Sequence, residues 1–230
     1  MTKTEKIIKL LSCFIPNKYV RRRFRHAAIA GFTDLKDDKL FKSVMESIQE
    51  GDVCIDCGAN LGQETLIMAY KGAEVHAFEP HPICYNHLTK LTSKYRSNVH
   101  IYQQGVWDKD TTMNLYFGQG HNDNAIQASE SASIIEEKIN ISKDDYVQVE
   151  VIDLVKFIKK LQTRIKVLKI DIEGAEVEVL RRIIDTKTYE LIDLIVVETH
   201  EKIPGLEEPI RRLRDEIINK NIDNINLDWR

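Results

Sequence analysis

The sequence is short of the features that mark several protein classes. Four cysteines in 230 residues (Cys13, Cys54, Cys57 and Cys84) do not make a disulfide framework in a chain of this length. Cys54 and Cys57 share a Cys-x-x-Cys spacing, but a zinc site would need a second ligand pair. A redox pair would open a helix, where the dipole lowers the thiol pKa, whereas Cys54 sits inside an apolar run. The two therefore read as small buried fillers, Cys57 beside a loop. No apolar run approaches the ~20 residues that span a bilayer. Lys6-Ile7-Ile8-Lys9-Leu10-Leu11 is broken by charge and lacks a small-residue cleavage site, so no signal peptide is expected and the default compartment is the cytoplasm. A net charge of −3 gives the whole chain no bias toward nucleic acid. Internal repeats and a domain linker are also lacking. What remains is 43% hydrophobic and 30% charged, as in an ordinary soluble globular protein, and long enough for one α/β domain with a full sheet.

The organising stretch is Val53-Cys54-Ile55-Asp56-Cys57-Gly58-Ala59-Asn60-Leu61-Gly62, followed by helix formers from Glu64 to Ala69. A buried strand, a tight glycine turn and a helix start in that order cradle a nucleotide. Glycine lets the backbone approach a ligand, and the helix N-terminus donates N–H groups to it. A second apolar run, Val75-His76-Ala77-Phe78-Glu79-Pro80, ends on an acid about 20 residues later, the position that takes ribose hydroxyls in dinucleotide-binding folds. The glycine spacing is not the dinucleotide pattern, because Asp56 and Asn60 interleave with Gly58 and Gly62. An acid in this loop repels a pyrophosphate but suits a ligand with an ammonium and a sulfonium, as S-adenosylmethionine has. A nicotinamide dehydrogenase is correspondingly disfavoured.

Asp56-Cys57-Gly58-Ala59-Asn60-Leu61-Gly62 and Ala77-Phe78-Glu79-Pro80-His81-Pro82 resemble the first two motifs of S-adenosylmethionine-dependent methyltransferases. With Lys169-Ile170-Asp171-Ile172-Glu173-Gly174-Ala175-Glu176 as a third hallmark, the chain resembles the FkbM family of O-methyltransferases over roughly residues 30–200. The resemblance implies a Rossmann-like, doubly wound, mostly parallel sheet of the class I methyltransferase type. It also implies S-adenosylmethionine as cofactor and a hydroxyl acceptor on a sugar, polyketide or other small molecule.

The pattern of elements agrees. A helix is expected over Lys39–Gln49, strands at Val53–Asp56, Glu74–Phe78 and Asn98–Gln103, and helices to about Tyr70 and after Pro82. Alternating strands and helices imply right-handed parallel crossovers. Met113–Phe117 and Val147–Ile152 read as an antiparallel extension. Between them Gly118–Asp145 is long and polar, a lid or binding loop, with one or two helical turns at Ile134–Ile139. Strands follow at Lys166–Ile172 and Ile192–Thr199, helices at Asp153, Glu176–Ile184 and Glu207–Asn219, and an edge strand within Ile222–Trp229.

In open parallel sheets ligands bind beyond the carboxyl ends of the strands, where the polar residues of this sequence fall. Asp56, Gly58, Asn60 and Gly62 are expected at the amino-acid part of the cofactor, Glu79 at the ribose, and the backbone of Val106 and Trp107 beside the adenine. Period-two alternation puts Lys169, Asp171 and Glu173 on one face, and Glu198 with His200, to frame the acceptor. His200 is the natural general base, with Asp171, Glu173 or Glu198 orienting it or serving instead; a plain surface loop is the alternative. Glu173 and Glu176 also suit the start of the next helix. The same cluster could hold Mg²⁺ or another divalent ion, but no ligand spacing favours one. By resemblance, Ser131 and Ser133 of the serine-rich segment are candidates for contact with the acceptor.

Residues 1–30 form an N-terminal helical and basic extension ahead of a methyltransferase domain over 31–230. Ile7, Leu10, Leu11 and Phe14 recur at helical spacing, and Arg21, Arg22, Arg23 and Arg25 form a basic cluster. It reads as a capping helix with a solvated face, or as a contact with an anionic membrane or a substrate phosphate. Two other functions are open at this point: a nucleic-acid methyltransferase using that cluster, and a cofactor-binding partner protein without catalysis.

Overall fold

The computed structural model describes residues 39–118, 132–134 and 141–229. The N-terminal extension with Arg21, Arg22, Arg23 and Arg25, the domain boundary at 30/31, Ser131, and most of the turn expected at Ile134–Ile139 lie outside the described residues.

The main sheet has six strands: β1 (Val53–Cys57), β2 (Glu74–Phe78), β3 (Val99–Tyr102), β7 (Ile165–Ile170), β8 (Ile192–Val197) and β9 (Ile225–Asn226). Their order is β3-β2-β1-β7-β8-β9, and every pairing is parallel. The chain moves outward from β1 to β3, then returns to lay β7 against the other side of β1. That reversal is the topological switch point, and it opens a crevice at the carboxyl ends of β1 and β7.

The strands are near-continuous apolar runs because both faces are covered. Ile55, Phe78, Leu168, Ile170, Ile195 and Val197 point to one face, with Leu154 and Ile158 of α4 (Leu154–Leu161), Leu180 and Ile183 of α5 (Glu176–Asp185) and Leu213 of α6 (Glu207–Asn219). Cys54, Val75, Val167 and Val196 point to the other. There they meet Phe41, Val44 and Met45 of α1 (Lys39–Ser47), Met68 and Ala69 of α2 (Gln63–Tyr70), and Trp229. Leu88 of α3 (Pro82–Leu91) packs on Ala59 and Ala77 on this second side. Cys54, Cys57 and Cys84 are buried, and burial drives the Cys54 thiol up to about 12, as fits fillers.

A second sheet of three strands has the order β4-β6-β5. β5 (Thr111–Gly118) and β6 (Ile141–Asp153) form the expected antiparallel pair. β4 (Gly105–Trp107) joins parallel to β6, a strand the sequence pattern does not announce because three residues carry no periodicity. Asp153 ends β6 and caps α4, accepting the Lys156 N–H at 3.1 Å.

Several boundaries differ from expectation: β6 begins at Ile141 rather than Val147, so the polar loop is shorter than Gly118–Asp145. β7 stops at Ile170 and β8 at Val197, so Asp171 and Glu173 lie in a turn rather than on a strand. The edge strand within Ile222–Trp229 shrinks to two residues, since Asn224 turns inward to donate to Tyr189 O and Ile192 O and Arg214 holds Leu227 O and Asp228.

Candidate functional site

The loop after β1 is built so that only its own residues fit. Gly58 has φ +77°, and a Cβ there would lie 1.7 Å from the backbone oxygen of Asp171. Gly62, at φ +87°, would drive a Cβ to 2.4 Å from Leu88 Cδ1. Asn60 adopts φ +46°, the left-handed conformation that asparagine tolerates better than most residues. The N–H groups of Gly58 and Ala59 both donate to Phe78 O at 3.0 Å, which sews the loop to the end of β2. Gly62 caps α2 with no side-chain acceptor, so the first helical turn presents its N–H groups to a ligand or water.

Beneath the loop lies a buried charge cluster. Asp56 is fully buried; its Oδ2 accepts from Thr65 Oγ1 at 2.6 Å, and its Oδ1 faces Lys169 Nζ at 3.3 Å. Lys169 Nζ also donates to Gly58 O at 2.9 Å and lies 3.5 Å from Asp171 Oδ2, so the ammonium stands against one carbonyl and two carboxylates. Burial pulls the Lys169 pKa down, but Asp56, Asp171 and Glu64 outweigh it and hold the ammonium charged. Lys169, expected on the acceptor side, thus supports the glycine loop. Asp56 acts on that loop from below, through Thr65 and Lys169.

Glu79 is 6% exposed and ties the two motifs together. Its Oε2 accepts the Asn60 N–H at 2.7 Å and its Oε1 the His81 N–H at 2.8 Å. Burial, opposed by those two bonds, pushes its carboxyl up to about 7. A carboxylate offers about four lone-pair sites, so two remain for a diol.

Two clefts meet at this loop. One, of about 620 Å³, is walled by Phe78, Glu79, Pro80, Gly105 and Val106 on one side and by Ser133, Asp171 and Glu173 on the other. The second, of about 550 Å³, runs from Gly58 to Glu64 with Lys169 and Asp171. Gly58, Asn60 and Asp171 border both. Val106, expected beside the adenine, lines the first cleft. Trp107 packs instead against the apolar cluster of the second sheet around Leu115 and Val151.

The far wall gathers residues that are distant in sequence. The turn after β7 carries Glu173 at φ +57° and is held by Glu176, whose carboxylate accepts from Ile172 N at 3.1 Å and from Gly174 N at 3.0 Å. Ser133 Oγ donates to Glu173 O at 2.6 Å, while the Ser133 backbone bridges to Tyr116 of β5. His200, after β8, places Nδ1 2.9 Å from Glu176 Oε1, and Nε2 3.2 Å from Glu173 Oε2 and 3.9 Å from Asp171 Oδ1. Burial lowers the His200 pKa, but Glu176 first and then Glu173 and Asp171 override it and lift it to about 9. Glu198, two residues before, is half-buried; burial and then Asp171 raise its carboxyl pKa.

Asp171, Glu176 and His200 lie close enough to share a metal ion. Glu176 Oε1, however, already accepts from Ile172 N, Gly174 N and His200 Nδ1. Its lone pairs are committed, so the trio suits hydrogen bonding rather than coordination.

Sequence reasoning missed Glu64 as a wall of the loop cleft, and saw Glu176 only as a helix-start carboxylate. Burial raises the Glu64 pKa against the pull of Lys169. The available signal was position: both stand in the first turn of a helix that begins at a motif.

The methyltransferase FkbM domain matches residues 56–223. Methyltransferase sdnD of Sordaria araneosa is 30% identical over 186 residues, covering 70% of this chain and 71% of that protein. Methyltransferase 1 of Beauveria bassiana is 30% identical over 157 residues, 63% of each. Hexuronic acid methyltransferase AglP of Haloferax volcanii is 23% identical over 197 residues, 85% of this chain and 75% of that protein. That match over residues 56–223 takes in the glycine loop, the buried acid at the end of β2 and the turn after β7, and the chain belongs to the FkbM methyltransferase family.

Proposed function

We propose that this methyltransferase moves a methyl group from S-adenosylmethionine to a hydroxyl of a sugar or another small molecule. The observation that carries the reading is His200 and its three carboxylates standing against the wall that Asp171 and Glu173 share with the glycine loop. A base therefore adjoins the cleft the cofactor would occupy. The relative that acts on a hexuronic acid supports a sugar acceptor.

The residues fit the cofactor. Glu79, with two free acceptor sites, would take the ribose hydroxyls, and Phe78 and Val106 would flank the adenine. Glu64 and Asp171, on the walls of the loop cleft, would face the ammonium. When bound, S-adenosylmethionine supplies an electrophilic methyl on a sulfonium. The transfer is an in-line displacement, so the protein's work is to hold the acceptor oxygen in line and remove its proton.

His200 takes that proton, and Glu176 keeps the ring oriented through Nδ1. With a pKa of about 9, only about 1% of the imidazole is free base near pH 7. Activity should accordingly rise about tenfold per pH unit until about pH 9. The carboxylates make the imidazole a stronger base once it is free and stabilise the cation that forms.

The test is transfer of labelled methyl to a panel of sugars, hexuronic acids and polyhydroxylated small molecules, with the product then treated with mild base. An ether survives that treatment and confirms a hydroxyl acceptor. A base-labile product means methylation of a carboxylate and overturns the O-alkyl reading. No transfer to any member, in a protein that binds the cofactor, overturns the acceptor class.

A further inference from the structure

A second cluster of ligating side chains sits at the opposite end of β2 from Glu79. Glu74 opens β2, His76 follows two residues later on the same face, and His100 is its partner across β3 in the register. Glu74 Oε1 lies 3.5 Å from His76 Nε2 and 3.3 Å from His100 Nε2. All three atoms fall within 4.8 Å of one another. Two ligands bound to zinc at ~2.0–2.1 Å and subtending a tetrahedral angle stand roughly 3.4 Å apart. The spacing to Glu74 is therefore the spacing a metal would impose.

The second observation is His76 itself. Its ring is 5% exposed, and Nε2 has no hydrogen-bond partner among the described residues, though it is aimed at Glu74. A buried orphan nitrogen is costly unless something occupies it. Its other nitrogen, Nδ1, is 3.0 Å from Tyr102 Oη, and the ring is packed edge-on against Phe157. A histidine with one nitrogen held by a hydrogen bond and the other aimed at a carboxylate and a second imidazole is oriented as metal-binding histidines are. Glu74 and His100, at 49% and 42% exposure, leave the site open to solvent on the edge strand.

We propose that Glu74, His76 and His100 bind a divalent transition-metal ion of the zinc type. Two imidazoles and one carboxylate select zinc, cobalt or nickel over magnesium or calcium, which prefer all-oxygen shells. The ion takes three protein ligands and keeps at least one position for water. It clips the edge strand β3 to β2, and Glu74 lies five residues, roughly 16 Å, from Glu79 along the strand. The site is therefore separate from the methyl-transfer cleft.

The test uses the full chain stripped with chelator, titrated with Zn²⁺ by calorimetry and with Co²⁺ by visible absorption. The wild type should bind one ion at this site and melt at a higher temperature with it than without. His100→Ala, at an exposed position that leaves the fold intact, should weaken binding about 100-fold, and Glu74→Gln about tenfold. His200→Ala should leave zinc affinity unchanged, and His100→Ala should leave S-adenosylmethionine binding unchanged. No zinc binding by the wild type overturns the proposal, as does binding that survives His100→Ala, which would place the ion elsewhere in the chain.

Discussion

One wall of the cleft, Gly58–Gly62 with Glu79, is drawn from neighbouring stretches around β1 and β2. The facing wall brings Ser133, Asp171–Glu176 and His200 together from three separated segments. The first wall is held by backbone: loop N–H groups on Phe78 O and Glu79, a lysine under Gly58, and a glycine at 58 whose Cβ would meet backbone. The second is held by shared protons, with an imidazole among three carboxylates. The first wall should consequently behave as a rigid cradle that either fits or fails. The second should respond gradually to pH and to single atoms.

The sharpest way to break this contrast is Gly58→Ala. Its Cβ meets backbone, not a flexible side chain, so the loop must deform; we expect destabilisation of more than about 3 kcal/mol and loss of cofactor binding, read by thermal melts and calorimetry. A variant that binds normally would mean the loop is not rigid. On the other wall, His200→Ala should lower kcat about 10²–10⁴-fold while cofactor affinity stays within about threefold. Glu176→Gln keeps an acceptor for the turn but removes the main support of the imidazolium. The inflection of its pH–rate profile should fall below about 9; an unmoved inflection would assign the proton to another group.

Glu79 tests the cradle by titration. Its carboxyl has a pKa of about 7, so it is ionised above that pH and protonated below. Hydroxyl donors bind the ionised form better, so cofactor affinity should fall about tenfold from about pH 8 to about pH 6. Glu79→Gln should abolish this slope. The smallest effect belongs to Ser133→Ala, which removes one hydrogen bond to Glu173 O; about 1 kcal/mol of stability and a few-fold change in kcat are expected.

The same division explains what could be read in advance. Residues on the cradle are set by local rules: an apolar run ending in a glycine turn, then a second run ending in an acid. Their spacing alone identified Asp56, Gly58, Asn60, Gly62 and Glu79 as a group. Period-two reasoning placed Asp171 and Glu173 near His200, yet for a reason the structure replaces. β7 ends at Ile170, and it is the turn clasped by Glu176 that brings them to the imidazole. Lys169 shows the limit most clearly. Its alternation with Asp171 is visible in the sequence, but whether its ammonium faces the acceptor or Asp56 depends on the neighbour that β1 provides.

By itself, then, the amino-acid sequence determined the alternating α/β order, the glycine loop and the acidic strand ends, because these follow from periodicity and backbone freedom over a few residues. The tertiary structure alone decided that β4 joins a second sheet and that Lys169 sits under the loop. It also decided that His200 carries a proton. Those outcomes depend on which strands become neighbours and how much water they exclude, and both are set only when distant segments pack.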